Sequence, residues 1–113
     1  MNRFGIAGAV WLVAAGFAIA MTLIFRTDPV QWVATMAVGA AAVVVGVWLI
    51  ARPSVLVVSA SNVVGVAWTA LYVVLTVQQS DDVGAWTTDV ALIVIGAAAA
   101  LAAYRAAARA RLG

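Results

Sequence analysis

The sequence predicts an all-α integral membrane protein, a four-transmembrane-helix bundle in which residues 1–113 form a single membrane domain. Apolar residues make up 67% of the chain and charged residues 9%, with a mean hydropathy of +1.16, far from the composition of soluble domains. The apolar residues fall into four runs, each long enough for a bilayer core of about 30 Å. The predicted crossings are residues 4–25, 29–51, 54–77 and 84–105.

The first crossing is an uncharged run from Phe4 to Phe25, preceded by Arg3. At about 1.5 Å per residue, its roughly 22 residues span about 33 Å. The segment Ala18-Ile19-Ala20 is similar to a signal-peptidase site, but the run stays apolar beyond it. We therefore expect this segment to be retained as a helix.

The second crossing begins with a helix-start signal. Asp28 is the predicted N-cap, Pro29 the first helical residue, and Gln31 follows three residues after the cap. Small residues recur at helical spacing along this run, namely Gly39, Ala42 and Gly46. Such a seam predicts a close approach to another helix.

The third crossing, capped by Ser54, carries a continuous polar and aromatic stripe. At about 100° per residue, seven of its residues fall within about one third of the helix circumference. They are Ser61, Asn62, Gly65, Trp68, Thr69, Tyr72 and Thr76. Because lipid offers no hydrogen-bond partners, this stripe is predicted to face the bundle interior.

Asn62 is the most polar residue well inside a crossing. Two interpretations are open: the amide hydrogen-bonds a neighbouring helix, or it lines a solute path together with Ser61, Thr69 and Tyr72. The first is favoured, because large side chains on the same stripe would fill a groove between helices.

The fourth crossing follows the polar run from Gln78 to Asp82, with Ser80 or Asp81 as the predicted cap. Asp89 is the one acid inside the predicted fourth crossing, and a carboxylate within a membrane indicates a functional site by default. It lies within about two turns of the helix start, so we expect water to reach it. A role in coupling transport to ions is the alternative.

Arginine placement predicts the orientation. Five arginines fall on one side of the membrane and only Arg26 on the other. The five are Arg3, Arg52, Arg105, Arg109 and Arg111. Both termini are therefore predicted to be cytoplasmic, and the last three arginines are candidate lipid-headgroup contacts. The bias to Arg, Asp, Ala and Val is typical of a GC-rich bacterial genome, which predicts a bacterial inner membrane.

The two halves of the chain show a weak internal repeat at an offset of 57 residues. Its matched residues are Gly8 and Gly65, Trp11 and Trp68, Gly39 and Gly96, and Ala42 and Ala99. A duplicated two-helix hairpin would keep its orientation in the membrane and relate the halves by an axis along the membrane normal. The alternative is chance matching in a chain dominated by few residue types.

Composition also limits the chemistry. The chain has no Cys and no His, and its acids and bases include no Glu or Lys, so we expect no metal site, no cofactor and no catalytic dyad. A net charge of +2 without a basic stripe does not predict nucleic-acid binding. The leading hypothesis is a non-catalytic membrane protein that associates with itself or with other membrane subunits. The alternative is a small transporter or pore for a neutral or hydrophobic solute along the third-helix stripe.

Overall fold

Four antiparallel helices follow one another along the chain, as predicted. The computed structural model describes residues 2–110, and the predicted headgroup contact Arg111 lies outside them. The helices are α1 (Arg3–Phe25), α2 (Pro29–Ala51), α3 (Val55–Gln78) and α4 (Val83–Ala110). Each is long and apolar enough to cross a membrane, and together they form a bundle of 45 × 21 × 19 Å. The predicted four-helix membrane fold is confirmed.

Side-chain caps fix where the helices begin. The Asp28 carboxylate accepts hydrogen bonds from the backbone N–H groups of Val30 and Gln31, at 2.9 and 3.1 Å. Ser54 Oγ accepts from the Val57 N–H at 3.3 Å. These contacts satisfy N–H groups that have no partner within the helix.

The cap predicted for α4 is wrong by one or two residues. The Asp82 carboxylate, rather than Ser80 or Asp81, accepts from the backbone N–H of Ala85 at 3.2 Å. The reason is that the end of α3 continues into a turn, in which the N–H of Ser80 bonds to the carbonyl of Val77. The chain is free to start a new helix only after that turn.

Glycines let the helices of the first hairpin come into backbone contact. A Cβ atom placed on Gly8 would lie 2.5 Å from the carbonyl oxygen of Gly46, and one on Gly46 would lie 2.9 Å from that of Gly8. Gly39 faces Ile19 in the same way, and a Cβ there would lie 2.8 Å from that side chain. The small-residue seam predicted in the second crossing therefore lies at the α1–α2 contact.

Two tryptophans fill the centre of the bundle. Trp11 and Trp68 are both fully buried, with ring centroids 5.6 Å apart in an edge-to-face arrangement. The Trp11 indole N–H donates to Ser61 Oγ at 2.9 Å, and the Trp68 indole N–H donates to the Leu92 carbonyl oxygen at 2.8 Å. The polar tip of each ring thus has a partner away from lipid.

The residues matched at an offset of 57 occupy buried positions in both halves. The buried pairs are Gly8 and Gly65, Trp11 and Trp68, Gly39 and Gly96, and Ala42 and Ala99. Equivalent positions of α1 and α3, and of α2 and α4, therefore face the same core.

Candidate functional site

The predicted stripe of α3 divides between the inside and the outside of the bundle. Ser61, Gly65, Trp68 and Tyr72 are buried. Asn62 is exposed, and the remaining two, Thr69 and Thr76, are half-buried. Thr76 meets its own need for a partner by donating to the Tyr72 carbonyl oxygen at 2.7 Å.

Rotation about the helix axis explains this division. At about 100° per residue, Asn62 lies roughly 120° from Trp68, at the far edge of the stripe. The neighbouring helices cover the Trp68 edge and leave the Asn62 edge uncovered. The expected hydrogen bond from Asn62 to another helix of the bundle is therefore wrong for this chain taken alone. Tyr72 is fully buried while Asn62 and Thr69 lie on the outer side, so the three do not line one cavity.

The exposed edge of the stripe borders a shallow groove between α3 and α4, which we call the α3–α4 groove. It has a volume of about 660 Å³. Its lining is apolar apart from three side chains with polar groups: Asn62, Thr69 and Tyr104. The apolar and glycine residues of the groove are Gly65, Val66, Ala70, Ala97, Ala100 and Leu101.

A buried ion pair lies at the end of the bundle that carries the α1–α2 and α3–α4 loops. We call this the acidic end (residues 26–28 and 79–82). Arg26 Nη2 lies 2.7 Å from Asp89 Oδ1, and the two side chains are only 8% and 1% exposed. The expectation that water reaches Asp89 is thus wrong. Arg26 follows the last residue of α1 in an extended conformation, and its side chain covers the carboxylate.

Aromatic rings connect this ion pair to the centre of the bundle. The guanidinium carbon of Arg26 lies 5.9 Å from the centroid of the Tyr72 ring, a cation–π distance. The Tyr72 ring lies 5.2 Å from that of Trp68, which in turn contacts Trp11. The ion pair and these three rings therefore form a continuous polar and aromatic column inside the bundle.

Three polar atoms of this column lack hydrogen-bond partners within residues 2–110. They are Arg26 Nε, Tyr72 Oη and Asp89 Oδ2. The ion pair is made through one oxygen and one nitrogen only, although guanidinium and carboxylate groups can pair through two parallel hydrogen bonds. One donor, one acceptor and one hydroxyl of the column are therefore buried without a partner among the described residues.

A cavity of about 540 Å³, which we call the vestibule, lies beside the ion pair at the acidic end. Its charged lining residues are Arg26, Asp28, Asp82 and Asp89. Its other lining residues are Met21, Phe25, Thr27, Gln31, Gln79, Gly84, Ala85 and Thr88.

Glutamine side chains join α2 to the end of α3 beside the vestibule. Gln31 Nε2 donates to Gln78 Oε1, and Gln79 Nε2 donates to Gln31 Oε1, both at 3.3 Å. Gln31 therefore links two helices, whereas the sequence suggested a role only in capping its own. In the described part of the chain, no three Asp, Glu, His or Cys side chains are grouped to hold a metal ion.

The described arginines apart from Arg26 lie exposed at the other end of the bundle, which we call the arginine end: Arg3, Arg52, Arg105 and Arg109. The helix that carries the last two has 28 residues, about 42 Å at about 1.5 Å per residue, and so exceeds a bilayer core of about 30 Å. This length is consistent with the predicted headgroup contacts of Arg105 and Arg109.

Arg26 is the residue of the candidate site that the sequence did not predict. The sequence places it in the loop between the first two crossings, and its partner Asp89 is 63 positions away in the chain. No signal in the sequence pairs this loop arginine with a residue of the fourth crossing. Comparison with known proteins finds no matching family model, no matching curated protein and no matching solved structure.

Proposed function

We propose that this small membrane protein is a non-catalytic subunit that self-associates, and that a second copy occupies the α3–α4 groove. The observation that carries the proposal is the exposed Asn62 side chain within a membrane-spanning helix.

The depth of Asn62 makes exposure to lipid unfavourable. Asn62 is the eighth residue of the 24-residue helix α3, about 7 Å from the helix midpoint at about 1.5 Å per residue. That depth lies within the hydrocarbon core, where an unpartnered amide loses its hydrogen bonds to water. A partner that supplies hydrogen bonds at this depth would relieve that penalty.

The groove beside Asn62 suits a helix as that partner. Its floor includes Gly65, Ala97 and Ala100, and small residues allow two helix backbones to approach closely. The half-buried Thr69 lies about two turns from Asn62 along the same face and offers a hydroxyl at the groove.

A second copy of the chain fits the groove because an amide is self-complementary. Asn carries both a donor and an acceptor, so two Asn62 side chains can satisfy each other reciprocally. Copies inserted with the same orientation place both amides at the same depth. A twofold axis along the membrane normal then brings them together, as in coiled coils that pair through one buried Asn.

Asn62→Leu tests this proposal, with Val63→Leu as the matched control. Val63 is the next residue on α3 and is 69% exposed, so its substitution alters the lipid-facing surface without removing an amide. Hydrogen bonds between membrane helices contribute about 0.6 to 2 kcal/mol. We therefore expect Asn62→Leu to weaken dimerisation about 3- to 30-fold, and the control to dimerise like wild type.

Native mass spectrometry from mild detergent and single-molecule photobleaching in bilayers measure the dimer fraction. A wild-type protein that is monomeric in both measurements contradicts the proposal. So does a dimer whose affinity Asn62→Leu leaves unchanged.

A further inference from the structure

We propose that the vestibule at the acidic end binds a small organic monocation, whose ammonium group pairs with carboxylates and whose apolar body lies against Met21 and Phe25. This site is separate from the α3–α4 groove, and neither proposal depends on the other.

The charge of the vestibule favours a cation. Its lining holds the carboxylates of Asp28, Asp82 and Asp89 and one guanidinium, that of Arg26, which leaves two formal negative charges. A cavity with low-dielectric walls and one dominant sign of charge concentrates ions of the opposite sign.

Asp89 gives the vestibule a buried acceptor. Its side chain is 1% exposed, and its Oδ2 atom has no hydrogen-bond partner within residues 2–110, although Oδ1 is paired with Arg26. A buried acceptor without a partner is rare and unfavourable. An ammonium group entering past Arg26 would supply the missing donor.

The arrangement of the carboxylates points to an organic cation. Among the described residues the acids do not converge into a metal-holding group. A cavity of about 540 Å³ also has room for several non-hydrogen atoms beyond one ammonium. The side chains of Met21 and Phe25 add an apolar wall, against which the hydrocarbon part of such a ligand would lose its contact with water.

The test uses benzylammonium as the probe and benzyl alcohol as its neutral analogue. Binding is measured by titration calorimetry on the full chain in nanodiscs of phosphatidylcholine, which carries no net charge to attract cations. Calcium chloride is titrated separately as the metal-ion comparison.

The informative variant is the double substitution Asp28→Asn and Asp82→Asn. Both aspartates cap helices, and Asn caps a helix about as well as Asp, so the change removes charge while keeping the caps. Asp81→Asn is the matched control, because Asp81 is an exposed acid next to Asp82 that does not line the vestibule.

We expect wild-type protein to bind benzylammonium saturably. The double variant should bind it at least about tenfold more weakly, because two attracting charges of the lining are removed. The control should bind it within about twofold of wild type, because Coulomb attraction to the more distant Asp81 is weakened by distance and screening. Benzyl alcohol should bind at least about tenfold more weakly than the cation. The proposal is overturned by folded protein that shows no saturable binding, by equal binding of benzyl alcohol, by displacement of benzylammonium by calcium, or by an equal loss in Asp81→Asn.

Discussion

At the scale of single residues, Arg26 and Asp89 join the end of α1 to α4 through a buried ion pair. A buried ion pair contributes little net stability, because the attraction between the charges is offset by their loss of hydration. Removing only one partner is far more damaging, since the other charge stays buried without compensation. The folded bundle is therefore stable when both charges are present or both are absent, and is destabilised when only one is present.

Asp89→Leu should reduce the free energy of unfolding by about 3 kcal/mol, because it leaves the Arg26 guanidinium largely buried and unpaired. The double variant Arg26→Met with Asp89→Leu removes both charges and should recover most of that loss. Unfolding in mixed micelles, followed by tryptophan fluorescence, measures both. A double variant as unstable as the single one would show that the ion pair does not explain the effect.

The same scale shows what sequence patterns could not predict. Helical periodicity placed Asn62 and Trp68 on one stripe. Which part of that stripe is buried depends on where the neighbouring helices pack, and they cover only the Trp68 edge. The contact between Arg26 and Asp89 joins residues far apart in the chain, and a single sequence holds no signal for which loop residue folds onto which helix.

At the scale of helices, the close contact of α1 with α2 depends on Gly8 and Gly46, whose backbones meet. Here the sequence was informative, because small residues at helical spacing predict close packing directly. The helix starts were also predictable, since Asp28, Pro29 and Ser54 are local signals. The Ala-rich run before Ala110 contains no stop signal, and α4 accordingly continues past the crossing predicted at residues 84–105 to Ala110.

Gly8→Ala should destabilise the bundle by about 1 to 3 kcal/mol, because the new methyl group would clash with the Gly46 backbone and force the helices apart. Gly16→Ala is the matched control on the same helix, since a Cβ at Gly16 would meet nothing within 4 Å. The control should be neutral or stabilise by up to about 1 kcal/mol, as alanine favours helix more than glycine does. Thermal unfolding of both variants beside wild type measures the difference. Equal melting temperatures would exclude a backbone contact at Gly8.

At the scale of the whole molecule, the two hairpins place matching residues in matching positions. Trp11 and Trp68 meet edge to face in the buried core, as expected for two halves related by an axis along the membrane normal. The halves differ in their hydrogen bonds, since one indole N–H reaches a side chain and the other a backbone carbonyl.

Charge also divides the molecule along its long axis and leads to a prediction about its orientation. The arginine end exposes Arg3, Arg52, Arg105 and Arg109, whereas Arg26 at the acidic end is buried against Asp89. Because positively charged segments near membrane helices are retained in the cytoplasm, we expect the arginine end to be cytoplasmic.

Two reporters fused after Gly113 test this orientation in a bacterial host. Alkaline phosphatase, active only outside the cytoplasm, should be inactive there, and green fluorescent protein, which folds inside, should fluoresce. The matched fusion after Asp81, in the loop at the acidic end, should give the opposite pair of signals, because an odd number of crossings precedes it. Phosphatase activity after Gly113 would place the arginine end outside. It would also mean that the vestibule opens to the cytoplasm, so that its organic cation would come from within the cell.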